Sequence, residues 1–307
     1  MTNQNIAVVF PGQGSQSVGM LAELAKEHPL VQETFSIASD ALGYDLWQLT
    51  QAGPLEKLDQ TIYTQPALLT AAYAAWRVLN DQQQMNPSML AGHSLGEYTA
   101  LVCAKALDFT DGVRLVAARG RFMQEAVQPG VGAMAAIIGL EDAAVLRICK
   151  EVITGTDEIL SPANYNSIGQ IVVAGHQEAV LRAIQVAKAE GAKMAVMIPV
   201  SVPSHCALMN AAAERLAEVL VSVKFSSPIL PVISNVDVKP YDTTDSIRDG
   251  LVRQLSMPVR WVETIQLFKR QGVTDIIECG PGKILTGLNK RIDKSLNLRT
   301  ISDNVLL

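Results

Sequence analysis

The sequence predicts an α/β protein built on a parallel sheet, with a smaller unit inserted into it. Three observations carry that expectation. Ile6 to Phe10, IAVVF, is a short β-branched run stopped by PGQGSQ, the signature of a buried strand ending in a turn. Long Ala- and Leu-rich helical stretches follow it. Between residues 132 and 198 the rhythm changes to a compact β-α-β-β-α-β order. Composition agrees. Apolar residues make up 49% and aromatics only 5%, so Ala, Val, Leu and Ile supply the core, as in helices packed on a sheet.

Taken in order, the first strand leads into helices from about Val18 to His28 and from Pro29 to Leu42. Gln65 to Leu79, QPALLTAAYAAWRVL, reads as a helix with Pro near its start, where a missing N–H is tolerated. PSMLAGHSLGEYTALVCA reads as a short strand, a tight turn from Gly92 to Gly96, and a helix. Phe109 to Val127 is a further helix with Thr110 or Asp111 as its cap. In the inserted piece AMAAIIGL, ILSPANY, QIVVAG and AKMAVMIP are strands, with a turn at Asn166 to Gly169. EDAAVLRICKEV and HQEAVLRAIQVAKAEG are its helices, and the order is ferredoxin-like. After Ser204 come a helix through AAAERLAEVLVSV, a strand at PILPVISNV and helices at Asp245 to Leu255 and Val262 to Gln271. A strand at VTDIIECG and a Lys-rich helix complete the chain.

Bulk properties exclude several classes. At 307 residues the chain has material for one or two domains, and 18% charged residues is too few for disorder. The net charge of −5 gives no sign of nucleic-acid binding. Cys103, Cys149, Cys206 and Cys279 lie far apart without a CxxC pair, which predicts reduced thiols, no zinc site and a cytoplasmic protein. The N-terminus lacks a signal-peptide pattern, and no apolar run reaches the roughly 18 residues a bilayer needs.

The clearest chemical signal is Gly92-His93-Ser94-Leu95-Gly96. GxSxG is weak alone, but here an apolar stretch precedes it and a helix follows it, the strand-turn-helix context of a nucleophile elbow. The helix that follows aims its free N–H groups toward the serine oxygen. A serine hydroxyl needs a base, and four histidines are available. His93 adjoins Ser94 on the turn and reads as a packing or hydrogen-bonding residue. His28 sits at a helix boundary before Pro29, and His176 opens a helix in the inserted piece. His205, in Val202-Pro203-Ser204-His205, lies where the chain re-enters the main unit, so elimination favours it. No carboxylate stands out to orient that base; Asp237 and Asp245 read as turn and cap residues. The Gly-rich PGQGSQ lacks the Lys-Ser/Thr of a phosphate-binding loop. Arg119 sits among small residues in AARGR, an odd place for a solvated charge, whereas Arg114 and Arg121 read as surface residues.

Several stretches together resemble one family. Phe10-Pro-Gly-Gln-Gly-Ser15, Gly92-His-Ser-Leu-Gly-Glu97, Val202-Pro-Ser-His205, Arg253-Gln254 with Pro258-Val-Arg-Trp261, and Glu278-Cys-Gly-Pro-Gly-Lys283 are similar to the bacterial malonyl-CoA:acyl carrier protein transacylases of type II fatty acid synthesis. The resemblance runs from about residue 5 to 294, and acyltransferase domains of polyketide synthases share most of the motifs. It implies an α/β-hydrolase-like core (1–131 and 199–307) with a ferredoxin-like subdomain (132–198). It implies that Ser94 is acylated, that His205 is its base, and that the backbone carbonyl of Gln254 orients His205. It further implies an oxyanion hole from the N–H groups of Gln13 and Leu95, and a grip by Arg119 on the malonyl carboxylate. CoA and phosphopantetheine would act as acyl carriers, with no metal or redox cofactor.

Residues 248 to 300 hold ten basic and five acidic side chains, so the remainder of the chain carries a net charge of −10. A basic face including Lys283, Lys290 and Arg291 would suit an acidic carrier protein. Three other readings remain open: a stand-alone acyltransferase of a polyketide pathway, an acyl hydrolase in which water replaces the carrier thiol, and a carrier-binding module without catalysis.

Overall fold

The computed structural model describes residues 5–83, 85–200 and 202–302. Among these residues nine strands form two sheets: β1 (Ile6–Phe10), β2 (Met89–Gly92), β3 (Gly132–Ile138), β4 (Leu160–Ser167), β5 (Gln170–His176), β6 (Met194–Met197), β7 (Val232–Ile233), β8 (Asp275–Cys279) and β9 (Asn297–Ile301). The larger sheet has the order β7-β2-β1-β8-β9, and every neighbouring pair is parallel. Its central strand alternates in the way a two-sided buried strand must. Val8 and Phe10 enter one apolar cluster, while Ala7 and Val9 enter the other. Helix Thr61–Gln83 and helix Phe109–Ala126 pack with the first cluster; helix Trp261–Arg270 packs with the second.

The smaller sheet is antiparallel, with the order β4-β5-β3-β6. One face, through Ala135, Ile137, Ile171 and Val173, packs under helices Asp142–Glu151 and Gln177–Ala189. The other face presents Met134, Val172 and Ala174 toward Cys206 of the larger unit. Backbone bonds from Tyr165 to Val259 and from Val259 to Ala163 tie the two units together.

The element order follows the sequence expectation, with several corrections. The first helix spans only Ala22–Glu27. The helix expected from Gln65 begins at Thr61 and encloses Pro66, because burial of Thr61 and Thr64 overrides the poor helix propensity of TIYT. Helices Leu46–Ala52 and Leu55–Leu58 and strand β9 are not foreseen. Asp108, not Thr110 or Asp111, caps Phe109–Ala126 by accepting from both of those N–H groups. Strand β7 shrinks to two residues because Pro231 precedes it and has no N–H to give a ladder. Asn166 belongs to β4 rather than to the turn after it. The first four residues of the N-terminus lie outside the described residues. Among those described, no helix is long and apolar enough to cross a membrane.

Candidate active site

The register of the parallel sheet assembles the site. Phe10 lies beside Gly92, so the loops leaving β1 and β2 emerge together at the carboxyl edge, where ligands of open α/β sheets bind. The turn is sterically demanding. A Cβ on Gly96 would lie 2.1 Å from the Phe10 carbonyl oxygen, and one on Gly92 would lie 1.8 Å from the Gly96 carbonyl carbon. Ser94 itself sits at φ 50, a left-handed conformation that costs a non-glycine residue roughly 1–2 kcal/mol. Asn235 holds it there: its Oδ1 accepts from the Ser94 N–H at 2.8 Å, and its Nδ2 donates to the Gly92 carbonyl at 2.7 Å.

His205, also left-handed at φ 65, reaches the elbow from the loop after β6. Its Nε2 lies 2.8 Å from Ser94 Oγ and its Nδ1 lies 2.7 Å from the Gln254 carbonyl. A carbonyl only accepts, so Nδ1 carries the proton and Nε2 accepts from the serine hydroxyl. The His205 N–H donates to the next carbonyl, Leu255, at 2.9 Å. Both carbonyls close helix Thr244–Gln254, whose last C=O groups have no partners within the helix. The negative end of that helix dipole favours an imidazolium, so the His205 ring has electrostatic support without a carboxylate. Asp237 is committed to Arg253 by two bonds, and Asp245 lies in a helix first turn capped by Thr243. Burial, and after it the charge of Arg119, pushes the His205 pKa down to about 3.

Arg119 is 1% exposed. Its Nη1 donates to Gln65 Oε1 at 2.7 Å, and its Nη2 donates to Gln254 Oε1 at 2.9 Å and to Ser94 Oγ at 3.2 Å. Among the described residues its buried Nε–H meets no acceptor, and its guanidinium lies over the Tyr98 ring. Burial lowers its pKa, against the opposing pull of Tyr98 and Glu97.

These groups border a cavity of about 170 Å³. Gln13, Ser94, Leu95, Arg119 and His205 line it, and Met134, Val172, Ile198 and Val200 add an apolar wall from the smaller unit and the segment after it. Gly12 lets the Gln13 loop press on the elbow; a Cβ there would lie 2.4 Å from the His93 oxygen. Among the described residues, the backbone N–H groups of Gln13 and Leu95 meet no protein acceptor, whereas that of Ser94 is taken by Asn235. The structure thus brings together all six residues singled out from the sequence. His93 binds Asn166 at 2.8 Å and leans on Trp261, which joins the elbow to β4.

Sequence reasoning misses four contributors. They are Asn235, Gln65, the carboxylate of Glu97, and the side chain of Gln254 as distinct from its carbonyl. Polar residues inside otherwise apolar helices, Gln65 before PALL and Glu97 before YTALV, are a usable signal; Asn235 has none.

An acyl transferase domain model matches residues 7–295. The chain belongs to the acyl transferase family. It is 57% identical over 297 residues to a malonyl CoA-acyl carrier protein transacylase of Escherichia coli K12, covering 97% of this chain and 96% of the relative. Among solved structures, an acyl carrier protein S-malonyltransferase from Vibrio cholerae is 53% identical with a TM-score of 0.95, covering 98% and 97% of the two chains. A malonyl-transacylase in complex with a type II PKS acyl-carrier protein is 54% identical with a TM-score of 0.96, covering 98% and 96%. The α/β fold, with one parallel and one antiparallel sheet, matches these neighbours along nearly the whole chain.

Proposed function

We propose that this chain moves malonyl from malonyl-CoA to the phosphopantetheine thiol of an acyl carrier protein through malonyl-Ser94. The observation that carries this reading is the Ser94 Oγ–His205 Nε2 contact of 2.8 Å beside a buried arginine. Ser94 Oγ attacks the thioester carbon and its proton passes to His205 Nε2. The oxyanion lies against the Gln13 and Leu95 N–H groups; losing one such donor typically costs about 3 kcal/mol. The carbon–sulfur bond breaks and His205 protonates the departing CoA sulfur. The carrier thiol then gives its proton to His205 and its sulfur attacks the malonyl-Ser94 carbonyl; the carbon–Oγ bond breaks, and His205 returns the proton to Ser94 Oγ. Arg119 holds the free carboxylate. That carboxylate offsets the charge which helps depress His205, so bound malonyl makes the base stronger. CoA and phosphopantetheine carry the acyl group, and no metal or redox step is needed.

In this reading residues 1–131 and 199–307 form the α/β-hydrolase-like core, and 132–198 form the ferredoxin-like subdomain that roofs the site. Four unpaired, buried cysteines fit a reducing cytoplasm. The carrier docks on a basic face including Lys283, Lys290 and Arg291. The neighbour solved with a PKS carrier supports a second reading, in which the carrier belongs to a polyketide pathway and the chemistry is unchanged. Intact mass spectrometry after brief exposure to malonyl-CoA is the test. One malonyl should appear on the wild type, none on Ser94→Ala, and carrier protein should discharge it. A persistent lack of acyl-enzyme with intact fold, or discharge by water at the same rate without carrier, would defeat the proposal.

A further inference from the structure

Behind the elbow lies a buried acid that the steps above leave unused. Glu97, 1% exposed, follows Gly96 in the helix after the turn. It accepts from Gln254 Nε2 at 2.6 Å, from the Asn235 N–H at 3.2 Å and from the Tyr241 hydroxyl. Gln254 is the node. Its main-chain carbonyl accepts from His205, its Oε1 accepts from Arg119, and its Nε2 also donates to the Ser94 carbonyl at 2.9 Å.

A glutamine amide has two unlike ends that exchange on a half-turn. A carboxylate facing it only accepts, which forces Nε2 toward Glu97 and leaves Oε1 for Arg119. The reversed amide would set an NH₂ against a guanidinium, and neither group has an acceptor to offer. We infer that Glu97 is a positioning residue for acyl selectivity: its carboxylate locks the Gln254 amide in the orientation that presents Arg119 to a malonyl carboxylate. This rests on the malonyl-transfer reading above.

The lock is pH-sensitive. Burial pushes the Glu97 pKa up to about 7, against hydrogen bonds from Tyr241, Gln254 and Asn235 and the charge of Arg119. The ionisable groups facing it are Arg119, Tyr98 and Tyr241. Below neutrality a protonated Glu97 can itself donate, so its share of the lock is lost and only the Ser94 carbonyl and the Arg119 guanidinium still hold the amide.

The test compares kcat/KM for malonyl-CoA and acetyl-CoA across neutral pH in the full-length wild type, Glu97→Gln, Glu97→Asp and Tyr241→Phe. Acetyl has no carboxylate and reports the Ser94–His205 chemistry alone. Glu97→Gln should lower the malonyl-to-acetyl ratio about tenfold, the discrimination of one charged hydrogen bond, and remove its pH dependence. Glu97→Asp, still an acceptor only, should recover part of the ratio. Tyr241→Phe removes one donor to the carboxylate and should move the acid limb of the ratio to higher pH. A purely structural role would depress both substrates equally, so an unchanged ratio in folded Glu97→Gln overturns the inference. If that variant does not fold, an unmoved limb in Tyr241→Phe overturns it. A wild type that forms no malonyl-Ser94 would instead defeat the underlying function, so the two failures are distinct.

Discussion

At the scale of single residues, the site depends on one neutral imidazole and one buried cation held within a single network. With a pKa near 3, His205 stays deprotonated through neutrality, so acetyl transfer should show no acid limb at the ordinary histidine value of 6.5. The unfolded chain binds that proton below about 6.5 and the folded chain does not. This residue's contribution to stability is therefore fully present above 6.5 and is lost as pH falls toward 3, an effect urea titrations at several pH values will read. If His205 acts as proposed, His205→Ala should slow single-turnover acylation by about 10²–10⁴-fold. Arg119→Ala should reduce malonyl transfer about 10–100-fold while keeping or raising acetyl transfer, which competition between the two CoA esters measures. Equal loss of both would remove Arg119 from substrate recognition.

At the scale of elements, the elbow depends on close backbone approach more than on any side chain. Gly96→Ala places a methyl 2.1 Å from the Phe10 oxygen, a backbone atom of the central strand that cannot swing aside. We expect a lowered unfolding temperature together with loss of Ser94 acylation, because β1 and the elbow must separate. The helix carrying Arg119 offers a milder contrast. Its Asp108 cap serves two N–H groups, so Asp108→Ala should cost about 1 kcal/mol of stability by chemical denaturation and leave acyl selectivity unchanged. The sequence marks such elements well where a run is long and periodic, as in Pro29–Leu42, which matches to the residue. It marks them poorly where burial overrides propensity, as at Thr61–Thr64, or where two prolines fragment an edge strand, as before Val232.

At the scale of the whole molecule, the basic segment is less positive than its composition implies. Arg248, Arg253, Arg260, Lys269 and Arg299 are each paired with a nearby carboxylate. Lys283, Lys290, Arg291, Lys294 and Arg270 form no ion pair with a described residue, and Arg291 donates to Gln170 of the smaller unit at 2.6 Å. Reversing Arg291 would disturb the contact between units as well as the charge. The cleaner test of carrier docking is Lys283→Glu with Lys290→Glu: both are exposed, Lys283 at the N-cap and Lys290 in the last turn of helix Ile284–Ile292, which borders the cavity. The pair should raise KM for the carrier protein several-fold at low salt, leave malonyl-CoA acylation of Ser94 intact, and lose its effect as salt rises. Carrier kinetics that ignore the reversal would place docking elsewhere.

Local structure was readable from residue order alone. The strand before GHSLG, the helix after it, the β-α-β-β-α-β insertion and a lone histidine at a re-entry loop all follow from periodicity, turn residues and the scarcity of bases. These are short-range properties that the chain carries wherever it folds. The Gln254 carbonyl that meets His205 was supplied only by the family resemblance; residue order left open the couplings, 54 to 157 positions apart, by which Asn235, Gln65 and Glu97 close the hydrogen bonds around Ser94 and Arg119. Those pairings arise because a parallel sheet brings loops distant in sequence to one edge, and because a buried polar group must find partners among whatever neighbours packing supplies.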